Sequence, residues 1–75
     1  MERYDAIGRD TGIVAYEVGN DFIRVQFVDG SVYLYDAIRP GMNHVERMKE
    51  LAVAGQGLTT YINQHVRKAY ARRER

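Results

Sequence analysis

A chain of 75 residues is enough for one domain. It lies near the size at which a single hydrophobic core becomes marginal, so packing or a partner must supply the stability. The absence of cysteine removes disulfides, thiolate metal sites and cysteine nucleophiles, and fits a reducing compartment. With 45% hydrophobic residues, 28% charged residues and a net charge of +1, the composition is that of a globular domain and not of a disordered chain.

Residues 1–11 lack periodicity and read as a loosely ordered lead-in, with Tyr4 and Ile7 pinned to the body. Met1-Glu2-Arg3-Tyr4-Asp5 has no apolar run of the secretory kind. No stretch approaches the about 18 apolar residues that span a bilayer. The expectation is a cytoplasmic protein without membrane contact.

Residues 12–75 read as a single α+β domain. Ile13 to Val18 is a strand, Gly19-Asn20 a turn, and Phe22 to Val28 a second strand rich in β-formers. Asp29-Gly30 between two such runs signals a two-residue hairpin loop, and Ser31 to Asp36 is the third strand. That loop length sets Phe27 opposite Val32 and Arg24 opposite Tyr35. The core face then holds Ile23, Val25, Phe27, Val32 and Leu34, with Val14, Tyr16 and Val18 joining from the first strand. The other face holds Phe22, Arg24, Gln26, Tyr33 and Tyr35.

Arg39-Pro40-Gly41 breaks the strand. Asn43 reads as an N-cap with Glu46 three residues on, and Val45, Met48, Leu51 and Ala52 fall on one helical face. Gly55-Gln56-Gly57 ends this helix, and a second runs from Leu58 to Arg72 with Leu58, Ile62, His65, Val66 and Tyr70 in its apolar stripe. The predicted architecture is a three-stranded antiparallel meander followed by two short amphipathic helices packed on one face.

Most catalytic constellations fail for lack of parts. Ser31, the only serine, stands beside a tight turn with no histidine near it in sequence. Gly55-Gln56-Gly57 has neither the spacing nor the preceding strand of a phosphate-binding loop. His44 and His65 lack a spaced third ligand, so no metal or cofactor is expected. His65 reads as a half-buried core histidine and His44 as exposed. The expectation is a protein that is not an enzyme.

One constellation is aromatic and basic. Tyr33 and Tyr35 share a predicted face with Arg24, and Arg67, Lys68, Arg72 and Arg73 cluster near the end of the chain. Sheets that bind single-stranded RNA stack bases on flat rings and meet phosphate with guanidinium groups. Each feature also has a structural explanation. Tyrosine is a good strand residue, and cations at a helix end complement its dipole. The same tyrosine face would equally serve a protein partner or a homodimer.

Val25-Gln26-Phe27-Val28-Asp29-Gly30-Ser31-Val32-Tyr33-Leu34-Tyr35 resembles the V-x-F-x-x-G-x-x-Y-x-Y centre of the KTSC domain, a short module found at the C-terminus of some lysyl-tRNA synthetases and as stand-alone proteins. Ala15-Tyr16-Glu17 is similar to that family's Gly-Tyr-Asp stretch. Tyr61-Ile62-Asn63, Val66-Arg67 and Tyr70 are similar to its C-terminal pattern. The resemblance covers residues 12 to 72. The family's Ser-x-Gly is represented by Gly57 and Thr59, so the role of that serine is not carried over, and the segment around Arg39-Pro40-Gly41 differs in length. The resemblance implies a small α+β domain and, through the synthetase association, RNA binding.

Overall fold

The computed structural model describes residues 1–5 and 12–75; Ile7, expected to be an anchor, lies outside them. An antiparallel sheet runs in chain order through β1 (Glu2–Arg3), β2 (Ile13–Val18), β3 (Phe22–Phe27), β4 (Val32–Asp36) and β5 (Arg72–Arg73). Between β4 and β5 come α1 (Met42–Ala54) and α2 (Leu58–Tyr61), the latter continued by a π-helical turn over Ile62–Val66. The class is α+β, as expected, with five strands instead of three because a two-residue strand is added at each edge. Two additions to the expected meander follow from the ends of the chain. Glu2 and Arg3 pair with Tyr16 and Ala15. Tyr4 is buried, its hydroxyl accepting the Leu58 N–H at 3.4 Å.

The core is built where the helices cover one sheet face. Ile23, Val25 and Tyr35 from the sheet meet Val45, Met48, Ala52, Leu58, Ile62 and Val66 from the helical layer, all buried. The α1 stripe is the expected one. Its start is not: Gly41, not Asn43, is the N-cap, and no side chain caps it. The helix ends at Gly55 in the left-handed region, with its N–H on the Leu51 and Ala52 carbonyls and the Gln56 N–H on Leu51.

The β3–β4 hairpin is one residue out of the expected register. Gln26 pairs with Val32, Val25 with Tyr33, Arg24 with Leu34 and Ile23 with Tyr35. The cause is the turn. The Phe27 N–H reaches the Ser31 carbonyl and the Gly30 N–H the Phe27 carbonyl, leaving a three-residue loop of Val28, Asp29 and Gly30. Asp29 Oδ1 accepts from both the N–H and the hydroxyl of Ser31, at 2.9 and 2.6 Å, which locks that longer loop. Gly30 takes the positive φ of 91° that closes it. A slip of one residue exchanges the faces of a strand. Tyr33 and Tyr35 therefore belong to the covered face, and Val32 and Leu34 to the opposite one with Arg24.

A second irregularity lies in β2. Ile13 pairs with Phe27 but Ala15 with Gln26, a bulge that turns Ile13 into the core and leaves Val14, expected inside, 41% exposed. Tyr16 keeps its place against the core, while Val18 is exposed.

Gly30 allows a clean measurement. A Cβ there would meet no atom within 4 Å, so a substitution carries backbone strain alone. Gly30→Ala is expected to cost about 1–2 kcal/mol, seen as a lower urea midpoint with an unchanged m-value.

The predicted second helix is shorter than expected. Its regular turns end at Val66, and the Ala71 N–H donates to the Leu34 carbonyl at 2.7 Å. The Glu74 N–H and the Arg75 carbonyl then satisfy Val32. Sheet pairing prevails because the open edge of β4 offers donors and acceptors that a continued helix would leave unmatched. Arg72 and Arg73 are consequently strand residues, and no basic helix ends the chain.

Candidate functional site

A cleft of about 460 Å³ opens between the end of the β3–β4 hairpin and the segment that follows α2. Phe27, Tyr33 and Tyr35 form its sheet side. Asn63 and Arg67, on and just past the π-helical turn, form the other side with Lys68 and Tyr70. Asp29 and Ser31 stand at the hairpin end. The register slip is what brings Tyr33 and Tyr35 here. The π-helical turn holds Ile62 and Val66 in the core while Asn63 and Arg67 reach the cleft.

The rings inside are set at right angles. Tyr33 and Phe27 have centroids 5.6 Å apart with planes at 90°, and Tyr33 and Tyr70 are 4.7 Å apart at 78°. The Arg73 guanidinium lies over the Tyr33 ring at 5.6 Å. Tyr35 is only 1% exposed but contributes to the wall. Its hydroxyl has no hydrogen-bond partner among the described residues, and it is not sealed from solvent. Burial pushes the phenol well above its ordinary value, with smaller contributions from Tyr33 and Tyr70.

Charge in the cleft is predominantly positive. The Arg67 and Lys68 side chains are exposed and make no ion pair or hydrogen bond among the described residues. Arg39 Nη2 donates to the Lys68 carbonyl at 3.0 Å and holds the backbone that presents them. The one acid lining the cleft among the described residues, Asp29, is held below the usual carboxylate range by the Ser31 hydroxyl and then by the Ser31 N–H.

The structure divides the seven residues singled out from sequence. Tyr33, Tyr35, Arg67 and Lys68 come together in the cleft, with Arg73 at its edge above Tyr33. Arg24 and Arg72 do not join them. Both stand with Leu34 on the opposite sheet face. There Arg24 meets Glu74 at 2.6 Å and Glu17 at 2.8 Å, and Arg72 meets Glu74 at 2.9 Å. Tyr35 is buried and cannot act as an open stacking platform, so the expected sheet-face arrangement of Arg24, Tyr33 and Tyr35 is corrected by the register. Phe27, Asn63 and Tyr70 complete the cleft. Their positions in the resembling motifs were the sequence signal for them.

The outer cluster carries a pH prediction. The Arg24 guanidinium, and then Arg72, keep the Glu74 carboxyl below its ordinary value of 4.5. A depressed folded-state value stabilises the fold above the unfolded value, and that contribution is lost as pH falls through the folded one. Glu74→Gln is therefore expected to lower stability at pH 7 while flattening its decline below about pH 4.5, as read from urea midpoints across pH.

The histidines occupy another place. His44 Nδ1 lies 2.7 Å from the Tyr61 hydroxyl, and the Tyr61 and His65 rings are 4.6 Å apart. His44 is half-buried and His65 exposed, the reverse of expectation. The buried stripe narrows to Leu58, Ile62 and Val66, leaving His65 at its margin against Tyr61. Among the described residues no group of three His, Cys, Asp or Glu side chains could hold a metal ion, and no helix is long and apolar enough to cross a membrane. No family model, curated protein or solved structure matches the chain.

Proposed function

We propose that this chain is a small non-enzymatic binding module for single-stranded nucleic acid, RNA in particular, and that the cleft is its contact surface. The observation that carries the reading is the pairing of unengaged cations with aromatic walls. Arg67 and Lys68 have no acid partner among the described residues, although Arg24, Arg47, Lys49 and Arg72 each have one. A cation left without an internal partner beside half-buried rings suits a ligand that is both anionic and aromatic, and single-stranded nucleic acid is that chemistry.

The residues that carry the KTSC resemblance support the same surface. Phe27, Tyr33, Tyr35, Asn63, Arg67 and Tyr70 all line the cleft. A KTSC-like module would thus gather part of its motif at one place, and the RNA association of that family agrees with the charge of that place.

An amide chemical-shift titration with a mixed single-stranded RNA at low and moderate salt tests the reading. Salt-sensitive shifts are expected at Tyr33, Asn63, Arg67, Lys68 and Arg73, with little change at Arg24. The absence of shifts at either salt would remove nucleic acid from consideration.

A further inference from the structure

The cleft has more shape than a backbone-tracking groove requires. Its volume of about 460 Å³ lies in the lower part of the roughly 300–1,000 Å³ range of small-ligand sites, room enough for one nucleotide. Its walls change in character with depth. The cations Arg67 and Lys68 are exposed, whereas Tyr35 is buried. Between them stand Tyr33 and Tyr70, both half-buried and nearly perpendicular to one another.

The Tyr35 hydroxyl is the informative group. Its side chain is buried, yet the oxygen itself is open to the cleft. Here it has no partner among the described residues, in a side chain that is 1% exposed and lines the cleft. A phenol kept protonated by its surroundings can donate to a ring nitrogen or carbonyl oxygen. Asn63, exposed on the facing wall, offers a donor and an acceptor. The Tyr35 hydroxyl at depth, half-buried rings at the sides and the exposed Asn63, Arg67 and Lys68 toward the mouth suit the parts of a nucleotide: base edge, base plane, phosphate.

We propose that the cleft is a single-nucleotide pocket. It takes one unstacked base, whose polar edge meets Tyr35 and Asn63 and whose phosphate meets Arg67 and Lys68. The inference rests on the nucleic-acid reading above but goes further, since a groove that only tracked the backbone would have no use for an unengaged hydroxyl on its inner wall.

Competition separates the two levels. A labelled mixed single-stranded RNA is bound to the full chain and followed by fluorescence anisotropy. Each of the four nucleoside 5′-monophosphates is then added, with ribose 5-phosphate as a competitor of like charge that lacks a base. The expected result is displacement by at least one nucleotide at roughly tenfold lower concentration than by ribose 5-phosphate. Tyr35→Phe, which keeps the ring and removes only the hydroxyl, is expected to weaken that nucleotide about three- to tenfold, the loss of one net hydrogen bond. Ribose 5-phosphate should be unaffected by the change.

If RNA binds in a salt-dependent manner but nucleotides displace it no better than ribose 5-phosphate, the pocket is overturned and the RNA reading stands. Equal nucleotide affinity in Tyr35→Phe would overturn the assigned role of the hydroxyl. Nucleotide binding without RNA binding, read by amide shifts at Tyr35 and Asn63, would support the pocket and overturn the RNA reading. Binding of neither overturns both.

Discussion

Replacing Tyr35 with alanine is expected to bring the domain to the edge of unfolding, whereas Tyr35→Phe should leave it folded. Truncating a fully buried aromatic costs about 3–5 kcal/mol. At about 0.05–0.15 kcal/mol per residue, a chain of this length has only about 4–11 kcal/mol in all. Tyr35 is among the largest fully buried side chains and belongs to the same cluster as Ile23, Met48 and Leu58. Removing only its oxygen breaks no hydrogen bond among the described residues, so Tyr35→Phe should shift the urea midpoint by less than about 1 kcal/mol.

The pair also differs at alkaline pH. The folded-state value of this phenol is raised above its ordinary 10.0. A group raised on folding stabilises the fold fully below its unfolded value and loses that contribution as pH climbs toward the folded one. The wild-type chain should lose stability above about pH 10, and Tyr35→Phe should lose less. A Tyr35→Ala variant as stable as the wild type would mean that the hairpin register is wrong.

The second large effect concerns affinity. The double change Arg67→Gln with Lys68→Gln removes two cations from the cleft without touching a core residue or an ion pair among the described residues. For single strands each phosphate contact contributes about 0.7 to the slope of log affinity against log salt. Loss of two should flatten that slope by about 1.4, which corresponds to roughly 25-fold weaker binding at 0.1 M salt relative to a 1 M reference. Arg24→Gln is the counterpart. Its guanidinium is already engaged by Glu74 and Glu17 on the other face, so affinity should stay within about twofold. Anisotropy titrations over a salt series read both. Unchanged affinity in the double variant would end the phosphate role of Arg67 and Lys68.

Much of the fold was legible in the chain because the signals were local and periodic. The spacing of Val45, Met48 and Ala52 fixed the inner side of α1, and the β-formers from Phe22 to Phe27 fixed the central strand. Two of the features that were not legible shape the site, and they were hidden for different reasons. The hairpin loop length depended on Asp29 accepting from Ser31, an interaction that makes Asp-Gly part of a three-residue loop. That single residue decides which face Tyr33 and Tyr35 occupy, and hence whether they stand with Arg24 or with Arg67. The strand at Arg72–Arg73 was hidden because Ala69 to Arg75 is locally a good helical sequence, and only the unpaired edge of β4 thirty-odd residues earlier selects extension. Of the seven residues singled out from the sequence, Tyr33, Tyr35, Arg67 and Lys68 line one cleft, and that grouping is a property of register.

The pairing of β5 along β4 has one more consequence. Without it, Val32 and Leu34 would present a free β-edge with alternating apolar side chains, the kind of border along which copies of a chain zip together. Arg72, Arg73 and Glu74 replace that border with charge. A chain shortened after Ala71 should therefore retain much of its core yet self-associate with rising concentration. Arg72, Arg73 and Glu74 are thus expected to guard this edge, while Arg73 also lies over the Tyr33 ring at the cleft's margin.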